Sequence, residues 1–169
     1  MKIDNHEISK SSRVFIIAEL SANHNQNLDI AIETIRAAKR AGADCIKLQT
    51  YTPDTLTINS NKDDFKIKGT IWSGKNYYEL YVEAFTPWEW HKKLFEVAKE
   101  EELVCFSSPF DKSSVDFLEN LSVPAYKIAS FEITDIPLIE YIASKGKPVI
   151  ISTGISSLED IEMALEACK

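Results

Sequence analysis

The chain has 169 residues, 44% of them hydrophobic, enough for one sizeable core and too few for two ordinary domains. Twenty-six acidic residues against 19 basic ones leave a net charge of −7, which argues against a general binder of nucleic acid or anionic membrane, since both select basic surfaces. No apolar run of about 18 residues occurs, and Met1–Lys10 lacks the apolar core of a secretory signal, so a cytoplasmic protein with no membrane partner is expected.

Residues 1–13 read as a polar N-terminal tail, with His6 at its surface. Val14–Ala18 is the first β-branched run and predicts a strand. Leu28, Ile32, Ile35 and Ala38 then share one helical face, and Gly42 is placed to end that helix at C′. Cys45–Gln49 predicts a second strand. The stretch Tyr51–Phe85 is polar at first and then aromatic, with Trp72, Tyr77, Tyr78, Tyr81 and Phe85. A long insertion after a strand's carboxyl end is where parallel α/β enzymes build substrate lids; the other reading is a small subdomain whose aromatics only pack on the sheet.

Thr86-Pro87-Trp88-Glu89 has the pattern of a capping box, opening a helix through Lys99 with His91 on its exposed flank. Strands are predicted at Leu103–Phe106, Ala125–Ile128 and Pro148–Ile151. Between them, Val115, Leu118 and Leu121, and then Leu138, Ile142 and Ala143, mark helical faces, the second ended by Gly146. Ser156-Ser157-Leu158-Glu159 predicts the cap of the last helix. Cys45, Cys105 and Cys168 are scattered without a C-x-x-C pair, which predicts reduced core thiols rather than a disulfide frame or zinc site.

Strand-then-helix alternation implies parallel strands joined by right-handed crossovers. A (β/α)8 TIM barrel takes ~250 residues, about 31 per unit, so this length supplies about five units. The five glycines spell neither G-x-G-x-x-G nor a P-loop, the usual mark of an open doubly wound sheet. The expected fold is therefore α/β, with residues 14–169 forming the first five β/α units of a (β/α)8 TIM barrel; a self-contained open sheet is the alternative. On the barrel reading, the chain alone is expected to associate through unpaired edges.

Every predicted strand ends in polar residues, and in a parallel barrel those ends share the face that carries the site. Period two sends Lys47 and Gln49 one way and Ile46 and Leu48 toward the helices. A lysine in a barrel mouth is costly unless an anion or a carboxylate pairs with it. Lys47 and Lys127, with serine hydroxyls from three further strands, suggest a phosphate-sized anion. The competing reading is a structural ion pair or triad of Glu19, Lys47 and Lys127. His24, just past the first strand, reads as a loop organiser or a ligand. No complete metal-ligand set is visible.

Five ordered motifs then carry a resemblance. Ala18-Glu19-Leu20-Ser21-Ala22-Asn23-His24, Lys47-Leu48-Gln49-Thr50-Tyr51, Ser107-Ser108-Pro109-Phe110, Pro124 through Glu132 and Ser152-Thr153-Gly154 resemble the sialic acid synthase family. Thr50 through Asp54, the Asp64-to-Trp72 insertion, Thr86 through His91 and Ser130-Phe131-Glu132 are most similar to its pseudaminic acid synthase branch. The resemblance implies condensation of phosphoenolpyruvate with an N-acetylated amino sugar, 2,4-diacetamido-2,4,6-trideoxy-L-altrose, with release of phosphate; the neighbouring alternatives are N-acetylneuraminate or legionaminate synthesis. It implies that Lys47, Ser108, Lys127, Ser130 and Ser152 contact phosphoenolpyruvate, that Gln49 and Glu132 face the sugar, and that Glu19 handles the water adding at C2. It further implies a homodimer and a divalent cation, Mn2+ or Mg2+, that polarises the sugar aldehyde. The metal ligands, three further barrel units and a C-terminal antifreeze-like domain would lie outside these 169 residues, so the piece alone is expected to be inactive. Two other classes stay open: a Schiff-base aldolase using Lys47 or Lys127, and a non-catalytic fragment.

Overall fold

The computed structural model describes residues 1–169. An antiparallel hairpin, β1 (Lys2–Ile3) with β2 (His6–Glu7), opens the chain. The main sheet has five parallel strands in chain order: β3 (Ile17–Glu19), β4 (Cys45–Thr50), β5 (Val104–Pro109), β6 (Tyr126–Ile128) and β7 (Val149–Ile151). Each strand pairs with the one that precedes it, so the chain advances around the sheet without reversing, as in the wall of a (β/α)8 barrel. Helices α1 (Leu28–Arg40), α2 (Pro53–Leu56), α3 (Tyr77–Ala84), α4 (Trp88–Glu100), α5 (Lys112–Asn120), α6 (Ile136–Ala143) and α7 (Leu158–Ala167) complete the units.

Side-chain parity builds two layers. Outward residues Ile46, Leu48 and Cys105 pack with Ala31 and Ile35 of α1 and Leu94, Val97 and Ala98 of α4. A second outer cluster joins Tyr126 and Ile128 to Val115, Leu118, Leu138, Ile139, Ile142 and Ala164. The inward residues Cys45, Val104, Phe106 and Ala125 form a separate cluster with Ile3. Cys45 and Cys105 are buried free thiols, each pushed above the ordinary thiol range by burial, as expected of inert core cysteines.

The reading of residues 1–13 as a tail is corrected by that cluster. Ile3 is 1% exposed and fills the inner face at the amino ends of the strands, held there by the hairpin. The first strand also starts later than predicted, and Val14 is 78% exposed. The Asp44 carboxylate explains this: it accepts from Ile16 N at 2.8 Å and pairs with Arg13, so a side chain takes over the approach to the ladder. The other four strands begin within one residue of their predicted starts, and β4 and β5 extend further toward their carboxyl ends.

Two caps differ from expectation. Thr86 does not cap α4, whose N-cap is Pro87 without a side-chain bond; the Thr86 hydroxyl is buried against His24 instead. The last helix is capped by Ser157 with Asp160, one residue beyond the predicted Ser156 and Glu159, because Ser156 N is already engaged by Thr153 O. Gly42 does follow the cap of α1 with φ +88°, a conformation that costs glycine little. Gly146 (φ +67°) lies one position further past the α6 cap than expected.

Truncating Ile3 should therefore cost as much as truncating a central core residue. Ile3→Ala is expected to lose about 2–4 kcal/mol in urea denaturation. A loss below about 0.5 kcal/mol would show the hairpin to be a loose tail.

Candidate functional site

The concave face at the carboxyl ends of the strands gathers the charged residues. Glu19, Lys47 and Phe106 lie in one register row, and Gln49 is paired with Ser108 in the next same-facing row. Lys47 is 6% exposed, and its Nζ sits 3.5 Å from Glu19 Oε2. Glu19 itself is largely exposed, so the pair is solvated on one side. Lys127 enters from β6 and donates to Ile128 O at 2.7 Å and to the Oγ of Ser152, just past β7. It makes no ion pair. The predicted triad is thus a Glu19–Lys47 pair with Lys127 standing apart. Burial, and next the charge of Lys47, lower the affinity of Lys127 for its proton, with Glu19 and Glu132 opposing them.

Two polar groups at this face lack protein partners. The Ser108 hydroxyl is 1% exposed and makes no hydrogen bond, and neither does the buried Oε2 of Glu132. Burial raises the Glu132 carboxyl above the usual carboxylate range. Unsatisfied buried groups cost about 1–3 kcal/mol each, and their clustering in one concavity is what a ligand would offset. Ser130, in the 3-10 turn Ser130–Thr134 that also carries Glu132, accepts from Ile155 N at 3.2 Å. Gly154 permits that approach: a Cβ there would lie 3.2 Å from Ser130 Oγ.

Beside this polar floor is a cleft of about 330 Å³ walled by Gln49, Tyr51, Leu56, Tyr81, Phe110, Phe131 and Glu132. It adjoins a second of about 350 Å³ that shares Leu56, Tyr81 and Phe131 and adds Phe65 and Tyr77. Tyr51 meets Tyr81 and Phe110 edge-on, with ring centroids 5.8 and 5.4 Å apart. The insertion therefore does both things that its sequence left open. It is a small folded unit, in which Ile67 N bonds Lys75 O and Asn76 caps α3, and it presents aromatic rings to the site. Of the insertion's aromatics, Tyr77 and Tyr81 line these clefts, joined there by Phe131 of the 3-10 turn. Tyr78 is bound to Asp54, and Trp72 lies in an exposed turn.

The histidines divide. His24 is fully buried, with Nε2 3.1 Å from Thr86 Oγ1 and Nδ1 accepting from Gln26 N, which makes it the loop organiser expected. His91 was expected on the exposed flank of α4, and that is wrong. It is fully buried, 2.8 Å from Thr50 Oγ1, because Leu94, Val97 and Ala98 place its stripe against the sheet. Burial lowers its pKa to about 4. The sequence reading also missed Tyr51, Leu56 and Phe110 as cleft walls; their position at and just past the ends of β4 and β5 was the available signal. No group of three or more His, Cys, Asp or Glu side chains converges, so the divalent cation implied by resemblance would need ligands other than those gathered here.

Comparison with known proteins decides the family. Residues 34–169 match the NeuB family. The chain belongs to the NeuB family. Over all 169 residues it is 53% identical to the pseudaminic acid synthase of Campylobacter jejuni, and over 91% of its length it is 52% identical to that of Helicobacter pylori. It spans about half of these proteins, 49% and 45% of their lengths. The crystal structure of N-acetylneuraminic acid (sialic acid) synthetase from Leptospira borgpetersenii superposes with a TM-score of 0.86 at 30% identity, covering 99% of this chain and 54% of that one. These five β/α units are accordingly part of a NeuB-type (β/α)8 architecture.

A buried neutral His91 makes stability depend on pH. Between pH 6.5 and about 4, the unfolded chain takes up a proton that the folded chain refuses, so stability is full above the ordinary histidine pKa and falls as pH drops toward 4. The loss expected from this residue is about 3 kcal/mol. His91→Gln should flatten the dependence of denaturation free energy on pH across that window; an unchanged slope would mean that His91 is not held neutral.

Proposed function

We propose that this chain supplies the phosphoenolpyruvate side of a nonulosonic acid synthase that condenses phosphoenolpyruvate with 2,4-diacetamido-2,4,6-trideoxy-L-altrose, forming pseudaminic acid and phosphate. The observation that carries the reading is the concave face itself: two lysines, one unpaired with any carboxylate, beside a buried serine hydroxyl that has no protein partner. The extent of identity to pseudaminic acid synthases supports the same reaction. By resemblance the working enzyme is a homodimer, and the Mn2+ or Mg2+ belongs to it with ligands from elsewhere.

In this reading Lys47 and Lys127 hold the phosphate and carboxylate of phosphoenolpyruvate, with Ser108, Ser130 and Ser152 completing the cradle. The C2–C3 π electrons of the enol form the new bond from C3 to the sugar aldehyde carbon, leaving an oxocarbenium at C2. The aldehyde C=O π pair moves onto oxygen, which takes a proton to become a hydroxyl. Glu19 takes a proton from the water that adds at C2. The tetrahedral intermediate then loses phosphate by C–O cleavage as the C2 hydroxyl gives up its proton and becomes the keto oxygen, the leaving charge being stabilised by lysines already in place. Gln49 and Glu132 face the sugar. A carboxyl with a raised pKa and a free buried oxygen supports Glu132 as a partner for a sugar hydroxyl or acetamido N–H.

The depressed proton affinity of Lys127 would also suit a Schiff-base aldolase. Borohydride trapping with pyruvate separates the two, since a phosphoenolpyruvate-condensing enzyme stays unlabelled.

The full-length protein with phosphoenolpyruvate, Mn2+ and the sugar should release phosphate, and Lys127→Met should lower kcat/KM by about 30- to 1,000-fold, roughly 2–4 kcal/mol. Near-normal turnover would remove Lys127 from the anion site. The apolar walls Leu56, Tyr81 and Phe131 favour a 6-deoxy sugar with a second acetamido group. Turnover with N-acetylmannosamine should therefore be lower; equal or better turnover would refute the sugar assignment and leave the synthase reading standing.

A further inference from the structure

Behind the floor of the site, on the helix-facing side of the sheet, lies a polar chain where parity calls for apolar residues. Outward positions on β4 run Ile46, Leu48, Thr50, and on β5 Cys105, Ser107, Pro109. Thr50 Oγ1 is 2.6 Å from Ser107 Oγ and 2.8 Å from His91 Nε2, and His91 Nδ1 is 3.2 Å from Pro87 O. Thr50, Ser107 and His91 are all fully buried.

The Pro87 carbonyl only accepts, so Nδ1 carries the ring proton and Nε2 accepts. Thr50 must then donate to His91, and its oxygen is left to accept from Ser107. Every hydroxyl in the chain has one direction. This links the carboxyl ends of β4 and β5 to the first turn of α4. A further tie at the same place is Trp88 Nε1 donating to Tyr51 O at 3.1 Å.

The residues next to Thr50 and Ser107 on the opposite face are Gln49 and Ser108, which are each other's register partners. We infer that the Ser107–Thr50–His91 chain is a positioning device that fixes the spacing and orientation of Ser108 and Gln49, and through them the seating of both substrates; this rests on the function proposed above. Stability alone does not explain the chain, because matched apolar replacements of a buried neutral pair are often close to neutral. A fully satisfied directional network specifies one arrangement, and support of this kind is what keeps a polar site in register. Ser108 needs such support, since its own hydroxyl has no protein partner to orient it.

The test uses the full-length protein well below its unfolding temperature. Thr50→Val keeps the shape and breaks the chain at its centre; Thr50→Ser restores the hydroxyl. Thr50→Val and Ser107→Ala are expected to raise KM for both phosphoenolpyruvate and the sugar about tenfold, with Thr50→Ser returning both to within about threefold of wild type. Tyr141→Phe removes a hydroxyl of α6 bound to Asp116 of α5, away from β4 and β5, and serves as the control. It should lower Tm without moving either KM. A merely structural role predicts that Thr50→Val behaves like Tyr141→Phe, with lower Tm, fewer active molecules and unchanged KM values; that result overturns the inference. If Thr50→Val does not fold, Ser107→Ala and Thr50→Ser decide by the same KM criterion. Wild-type protein that releases no phosphate overturns the proposed reaction and this inference with it, whereas an active wild type with KM values unmoved in the variants overturns the inference alone.

Discussion

Two ammonium groups on the inner face of a parallel sheet are the constraint to which the rest of this structure answers. Lys47 and Lys127 stand on strands separated by β5, and burial, then the charge of Lys47, lower the affinity of Lys127 for its proton. Glu19 compensates one of them at 3.5 Å. Lys127 is left with a carbonyl and the Ser152 hydroxyl, neither of which carries charge. Lys127 thus has no carboxylate at ion-pair distance, although the chain as a whole carries −7. That uncompensated ammonium is the feature on which the proposed seating of a small anion rests.

Apolar packing confines that charge to one end of the sheet. Ile3, Cys45, Val104, Phe106 and Ala125 pack together on the inner face below the lysines, an apolar layer beneath the charged groups. The N-terminal hairpin supplies Ile3 to this layer. Phe106 occupies the same row as Lys47 and Glu19 and marks the boundary between the dry and polar layers.

Much of this could be read from the sequence because it is periodic. Five short β-branched runs and the helical stripes between them identified the units, and period two assigned Lys47 and Gln49 to the inside. What escaped was set by contacts distant in sequence. Thr86-Pro87-Trp88-Glu89 satisfies the local pattern of a capping box, yet Thr86 is claimed by His24, from a loop 62 residues earlier. Ser156 and Ser157 each precede an acid by three residues, and only the Thr153 carbonyl selects between them. His91 could have been placed: it lies on the stripe of Leu94 and Ala98, and a polar residue there needs a buried partner. Thr50 and Ser107 have the same outward parity as Leu48 and Cys105, a signal that asks why hydroxyls occupy core positions.

The two buried histidines show how the insertion can be long and still serve the site. His24 accepts at Nδ1 from Gln26 N, so its Nε2 carries the proton toward Thr86; His91 has the opposite arrangement, with the proton at Nδ1. Gln26 reaches further, donating to Glu83 O and Phe85 O, and so holds the end of α3. The loop around His24 takes left-handed backbone at Ser21, Asn25 and Gln26, an arrangement that persists only when surrounding bonds hold it. At the other end, Thr50 and Tyr51 are tied to His91 and Trp88. The residues that leave β4 and those that enter α4 are thus pinned to the same edge of the sheet, and loop closure is fixed by hydrogen bonds rather than by a short connection. The segment between them can then be long while Tyr77 and Tyr81 remain directed at the cleft.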